Sequence, residues 1–149
     1  MSNMPRIAVI YLSYHSDDYL PDVVSAFEHI TYPKEKMELV IVDNFHPEFG
    51  NSIKAIENIV MPLSGKTIPH VTFLPQKENL GFAGGNNIGI KWALEHGFDY
   101  VYLHNDDGFI APNVFEPLVK EMEEDKNIAI AQSLLLLHPD TLYLNNAGN

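Results

Sequence analysis

Short apolar runs rich in β-branched residues alternate along this chain with segments whose apolar residues recur at helical spacing. The first run, residues 6–13, lacks a polar-apolar alternation, which is typical of a strand buried on both faces of a parallel sheet. Strands that alternate with helices predict βαβ units with right-handed crossovers. The sequence therefore predicts an α/β fold with a mostly parallel, doubly wound sheet, in which residues 6–13 form the central strand.

The other predicted elements follow the same two patterns. Apolar positions from Asp18 to Ile30 predict a first helix, with Asp17 or Asp18 as its N-cap. Gly97 is a natural left-handed cap for a helix that starts at about residue 85. We expect further strands at 38–42, 71–74, 100–104 and 128–131, helices at 53–60 and 114–122, and short strands or an extended excursion at 134–137 and 141–144.

The composition indicates a globular chain and excludes several partners. The chain has 149 residues, of which 46% are hydrophobic, so we expect one domain over residues 1–149. A net charge of −11 disfavours nucleic acid and anionic lipid, because like charges repel over long range. The absence of cysteine excludes disulfides and thiolate metal sites, and it fits a reducing cytoplasm.

Neither of the two most apolar runs has the pattern of a membrane span or a signal peptide. The run at residues 7–12 is short and has no small-residue cleavage site. The run at 128–137 is far below the ~18 to 20 residues needed to cross a bilayer. We therefore expect no integral membrane segment and a cytoplasmic protein, with any location at the inner face of the membrane arising through its acceptor.

A glycine-rich segment and paired carboxylates are the features that carry chemistry. Residues 78–89 contain glycines that allow close approach of the backbone to a ligand, and Asp106 and Asp107 follow the strand at 100–104. Asp43 ends the strand at 38–42. Since ligands of parallel α/β sheets bind at the carboxyl ends of the strands, these groups are expected on one edge. Carboxylates there could hold a divalent cation and, through it, a phosphorylated ligand.

Three ordered sequence blocks resemble those of the inverting family 2 glycosyltransferases, particularly the rhamnosyltransferase-like branch. They are Val42-Asp43-Asn44, the stretch Asn79-Leu-Gly-Phe-Ala-Gly-Gly-Asn-Asn-x-Gly89, and Asn105-Asp106-Asp107 with Pro112 shortly after. The resemblance implies the GT-A (Rossmann-like) nucleotide-sugar binding fold, a nucleotide-diphosphate-sugar donor, a glycan or lipid-linked acceptor, and Mg²⁺ or Mn²⁺ as cofactor. It also implies that the chain is the N-terminal, donor-binding portion of such an enzyme, truncated before the acceptor half and the general base, so no residue is assigned as catalytic.

The resemblance also implies roles for individual residues. Asn105 and Asp107 form an Asx-x-Asp motif and are the expected metal ligands, while Asp106 contacts ribose or shares the cation. Their structural alternative is a turn before Gly108, and that of Asp43 is a turn residue after its strand. The expected nucleotide-sugar-binding residues are Ser13, Tyr14, Asp43, Asn79, Gly81, Gly84, Gly85, Asn87 and Asp106.

Competing functions require sequence motifs that can be looked for in this chain. A dinucleotide dehydrogenase would carry Gly-x-Gly-x-x-Gly after the first strand, where this chain has residues 14–18 without glycine. No histidine pair has zinc-type spacing, and we expect His29, His46, His70, His96 and His138 to be surface or packing residues. Two hypotheses remain: a metal-dependent inverting glycosyltransferase, and a non-catalytic nucleotide-sugar binding or assembly module.

Overall fold

The computed structural model describes residues 4–15, 17–137 and 144–146. The chain divides into two compact units, Met1–Pro112 and Asn113–Asn149. The first unit contains the strands β1 (Ile7–Ser13), β2 (Met37–Asp43), β3 (His70–Pro75) and β4 (Tyr100–Asn105). They form one parallel sheet with the order β3-β2-β1-β4. The predicted α/β class, the parallel sheet and the central position of β1 are thereby confirmed.

Helices cover both faces of this sheet, as a doubly wound fold requires. The helices of the first unit are α1 (Leu20–Glu28), α2 (Ile53–Val60) and α3 (Gly81–Glu95), with 3₁₀ turns at Asp17–Tyr19 and Lys34–Lys36. Ala93 of α3 packs with Ala8, Ile10, Val40 and Val42 in a buried cluster. On the opposite face, Phe27 of α1 meets the ring of His104 edge-on at 5.9 Å. The alternate residues of β1 and β2, the two inner strands, are therefore buried on opposite sides of the sheet.

The second unit is described by its own elements. It contains α4 (Phe115–Glu124) and an antiparallel pair of short strands, β5 (Leu135–Leu136) and β6 (Leu144–Asn146). Pro117 lies in the first turn of α4, where a missing N–H removes no intrahelical bond. Residues 141–143 of the predicted excursion, and His138, lie outside the described residues.

Three sequence predictions were wrong in detail. Residues 128–131 form no strand, and Ile130 is 88% exposed; a four-residue apolar run gains nothing from strand geometry without a neighbouring strand or a face to bury. The N-cap of α1 is Tyr19, without a side-chain cap hydrogen bond, because a 3₁₀ turn precedes the helix. Helix α3 starts at Gly81, one turn earlier than predicted from residue 85.

No helix in the described part of the chain is both long enough and apolar enough to span a bilayer.

Candidate functional site

The carboxyl ends of β1, β2 and β4 lie level at one edge of the sheet. Ser13 pairs with Asp43 across β1 and β2, and Leu12 pairs with Asn105 across β1 and β4. The N–H of Asn44 donates to the carbonyl of Ser13 over 2.9 Å, which extends this pairing one residue further. The edge therefore brings together the strand-end candidates that lie far apart in sequence: Ser13, Tyr14, Asp43, Asn105, Asp106 and Asp107.

Asp43 is closed off from solvent in this structure. Its side chain is 0% exposed, and no hydrogen bond of standard geometry from a described residue reaches either carboxylate oxygen. Burial raises the pKa of this carboxyl, while nearby donors, chiefly the Asn51 amide and the Ser13 hydroxyl, act in the opposite direction. A buried carboxyl without full hydrogen bonding is costly for the fold, which makes it a candidate for a ligand contact.

The segment after β2 is tied down around Asp43. The side-chain amide of Asn51 donates to the backbone carbonyl of Asp43 at 3.2 Å and to that of Gln76 at 3.1 Å. His46 and Gly50 exchange backbone hydrogen bonds of 3.0 and 2.7 Å. These bonds close residues 44–52 into a compact loop over the edge of β2.

Asn44 joins this loop to the glycine-rich segment, a role that sequence reasoning missed. Its side-chain oxygen accepts from the N–H of Leu80, and its amide donates to the carbonyl of Gly81, both at 3.3 Å. Asn44 itself is only 2% exposed, and both bonds are partly buried. The sequence signalled Asn44 only by its place in the Val42-Asp43-Asn44 block, directly after a predicted strand-end aspartate, since its partners lie 36 and 37 residues away.

The glycine-rich segment forms the start of α3. Gly81 has φ +68°, a left-handed conformation that favours glycine, and its N–H donates to the side-chain oxygen of Asn79 over 2.8 Å. Asn79 and Asn87 are exposed, whereas Gly85 is buried. A Cβ at Gly85 would lie 2.4 Å from Cδ1 of Leu12, so Gly85 has a packing role that needs no ligand.

The two paired aspartates occupy the centre of a turn that leaves β4. The N–H of Gly108 donates to the carbonyl of Asn105 at 3.2 Å, which closes the turn around Asp106 and Asp107. Neither aspartate side chain forms a hydrogen bond or salt bridge with another described residue. The turn that was the structural alternative is therefore present, and it leaves both carboxylates available to a ligand.

Oxygen ligands in this turn fit a hard divalent cation. Among the described residues no group of three or more His, Cys, Asp or Glu could hold a metal ion. A cation at Asn105, Asp106 and Asp107 would therefore take its other ligands from water or from phosphate oxygens, as Mg²⁺ commonly does.

His104 lies beneath this turn as a neutral group. It is 5% exposed and its Nε2 has no hydrogen-bond partner among the described residues. Burial lowers the pKa of His104 to about 4, against the opposing effect of the Asp107 carboxylate. His104 therefore adds no positive charge near the two aspartates at neutral pH.

An aromatic cluster of Tyr14, His15, His46 and Phe49 lines the same edge. His15 stacks on Phe49 with ring centroids 4.3 Å apart and lies 5.4 Å from His46. His46 in turn lies 5.0 Å from Tyr14 and 4.7 Å from Phe49. The sequence placed Tyr14 among the expected nucleotide-sugar-binding residues and assigned His46 to surface or packing. The ring contacts of His46 are packing contacts, and they could not be read from the sequence because its partners come from two separate loops.

The family of the chain follows from comparison with known proteins. The model of glycosyl transferase family 2 matches residues 8–136. The match begins at the second residue of β1 and includes all the other strands and helices of the first unit. The chain belongs to glycosyl transferase family 2. A curated relative, an uncharacterised glycosyltransferase of Haemophilus influenzae, is 24% identical over 135 residues, covering 91% of this chain and 38% of that protein. The chain thus spans well under half of the length of that relative.

Solved glycosyltransferase structures share the fold of this family 2 chain. Staphylococcus aureus TarS 1-349 in complex with UDP-GlcNAc has a TM-score of 0.65 and 18% identity, covering 87% of this chain and 38% of that one. The mannosyltransferase PcManGT from Pyrobaculum calidifontis, in complex with GDP-Man and Mn²⁺, has a TM-score of 0.64 and 20% identity, covering 81% and 33%. At these identities the likeness confirms the GT-A type of fold.

Proposed function

We propose that this family 2 chain is the donor-binding part of a metal-dependent, inverting glycosyltransferase that uses a nucleotide-diphosphate-sugar. The observation that carries the proposal is the level pairing of β1 with β2 and β4, which sets Ser13, Asp43 and Asn105 at one edge. Support comes from the family match and from structural neighbours that were solved with UDP-GlcNAc or with GDP-Man and Mn²⁺. The rhamnosyltransferase-like branch stays a prediction from the sequence blocks.

In this proposal the nucleoside lies against the ends of β1 and β2. Ser13 and Tyr14 line the base pocket, and Asp43 accepts a hydrogen bond from the base. Because the Asp43 carboxylate is closed off from solvent, the side chains that cover it have to move aside when the base binds. Asn79, Gly81, Gly84 and Asn87, at the start of α3, face the sugar diphosphate; Gly85 acts there through packing.

The turn after β4 supplies the acidic part of the proposed site. Asn105 and Asp107 hold the cation, and Asp106 shares it or contacts ribose. A bound divalent cation would offset the negative charge that develops on the departing nucleoside diphosphate. This compensation of negative charge matters because the 20 acidic residues of the chain outnumber its 9 lysines and arginines. The electrostatic field of the protein therefore opposes the binding of a diphosphate.

The proposed reaction is a single displacement at the anomeric carbon. An acceptor hydroxyl, from a glycan or a lipid-linked acceptor, forms the new bond on one face while the bond to the diphosphate breaks on the other, which inverts the configuration. The hydroxyl proton passes to a general base outside the residues assigned here. The contribution of this chain is to position the donor and to stabilise the leaving group.

The test is calorimetric titration of UDP and GDP with and without Mn²⁺. We expect binding of at least one of them to need the cation, and Asp106→Asn or Asp107→Asn to weaken the metal-dependent binding by about tenfold or more, as loss of a charged ligand does. Asp22→Asn, on the exposed surface of α1, removes the same charge away from the edge and should have no such effect. Unchanged affinity in both edge variants would overturn the metal role, and sugar transfer by the chain itself would exclude the non-catalytic alternative.

A further inference from the structure

The hydrogen bonds of His46 fix its tautomer. Its Nδ1 accepts the backbone N–H of Glu48 at 3.2 Å and that of Phe49 at 3.3 Å. A nitrogen that accepts hydrogen bonds carries no proton, so the proton of the neutral imidazole is on Nε2. Among the described residues no group accepts a hydrogen bond from that Nε2–H. His46 therefore presents one oriented and unused donor.

The ring of His46 is held at the edge by its neighbours. Phe49 and Tyr14 flank it at centroid distances of 4.7 and 5.0 Å, and all three rings retain some exposure. His15, which contacts the same ring, has φ +54°, a left-handed conformation that is uncommon for a residue with a side chain. Strained residues of this kind cluster at ligand sites, where the surrounding structure enforces them.

A donor beside an aromatic face suits one part of a nucleotide in particular. A nucleobase offers a flat ring for stacking and polar groups at its edge. Uracil and guanine carry a carbonyl oxygen at the position where cytosine and adenine carry an amino group. An N–H donor pairs with the carbonyl, whereas it meets the amino group as a second donor and leaves both without a partner.

We infer that His46 is a specificity-determining residue of the donor site, whose Nε2–H donates to the carbonyl oxygen of a stacked nucleobase and so selects uracil or guanine over cytosine or adenine. The inference rests on the proposed function, because it takes the ligand to be a nucleoside diphosphate. It extends that function by naming the class of base and the residue that reads it. The competing role for His46 is structural: its Nδ1 alone holds the turn at residues 47–49.

The test compares UDP with CDP and GDP with ADP, each pair having the same ring size, by calorimetric titration in the presence of Mn²⁺. We expect the wild-type chain to bind UDP or GDP at least about tenfold more tightly than its amino-bearing counterpart, because the amino group leaves the Nε2–H without an acceptor. His46→Ser retains an oxygen that can accept the turn N–H bonds and removes the ring donor. It should reduce the preference to within about twofold, by weakening UDP or GDP binding while leaving CDP and ADP unchanged.

Two further variants keep the test decisive. His46→Phe preserves the aromatic face without a donor and should flatten the preference in the same way, and a thermal melt verifies that each variant is folded. His70 lies at the amino end of β3, away from the edge that carries His46. The control variant His70→Ser should therefore keep the wild-type preference among the diphosphates. Equal wild-type affinity for all four diphosphates, or an equal loss for all four in both His46 variants, would overturn the inference and leave the proposed function intact. Failure of every nucleoside diphosphate to bind would overturn the proposed function and this inference with it.

Discussion

At the residue scale, Asp43 couples the proposed function to stability. Its carboxyl is buried without standard hydrogen bonds, and burial raises its pKa above the ordinary value. The folded state therefore holds the Asp43 proton more tightly than the unfolded state does. The stability that this carboxyl contributes is fully present below its unfolded pKa of about 3.9 and is lost as pH rises through the folded pKa.

Asp43→Asn provides the corresponding measurement. The substitution keeps the shape and removes the buried charge, so we expect the variant to gain stability relative to wild type at pH 7, by about 1–3 kcal/mol. The difference should shrink as pH falls through the acid range, where wild-type Asp43 is protonated. Urea unfolding of both proteins from pH 4 to 8 tests this, because other titrating groups cancel in the comparison. A difference that is independent of pH would contradict a raised pKa. Nucleotide binding should weaken in the same variant, so Asp43→Asn is expected to raise stability and to lower nucleotide affinity, and each effect is measured separately.

At the scale of elements, the contact between α3 and β1 is set by glycine. A Cβ at Gly89 would lie 2.4 Å from Cγ2 of Ile10 and 3.0 Å from its Cδ1. Ile10 is fully buried and β-branched, so it has little freedom to move away. Alanine in a helix is worth about 1 kcal/mol over glycine, whereas overpacking a core costs about 1–3 kcal/mol. The packing effect should therefore prevail.

We accordingly expect Gly89→Ala to lower the free energy of unfolding by up to about 2 kcal/mol. Ile10→Ala removes the atoms that clash, so in the double variant the cost of Gly89→Ala should vanish or turn into a small gain. A double-mutant cycle by chemical denaturation measures this coupling. Additive losses would show that the clash is relieved elsewhere.

The sequence predicts this level of structure unevenly, for physical reasons. The runs that became β1 and β2 are recognisable because burial on both faces leaves a continuous apolar stretch. Gly97 is recognisable as the left-handed residue after α3. Residues 128–131 have the same local composition and form no strand. The roles of Asn44 and His46 depend on hydrogen bonds and ring contacts that form only after folding, so no local sequence pattern predicts these roles. The strand-end carboxylates were predictable because their position follows from topology alone.

At the scale of the whole molecule, the net charge of −11 governs how the proposed site meets its ligands. A nucleoside diphosphate is repelled by this field and a divalent cation is attracted by it, and added salt screens both effects, with a Debye length that falls from about 30 Å at 0.01 M to about 10 Å at 0.1 M. We therefore expect opposite salt dependences. Between low and high NaCl, the affinity for Mn²⁺ should fall severalfold, while any affinity for UDP or GDP in EDTA should rise or stay level. Calorimetric titration across a salt series measures both slopes. A nucleotide affinity that falls with salt in EDTA would indicate a local cluster of basic groups strong enough to outweigh the net charge, and it would remove the need for a cation at the turn formed by residues 105–108.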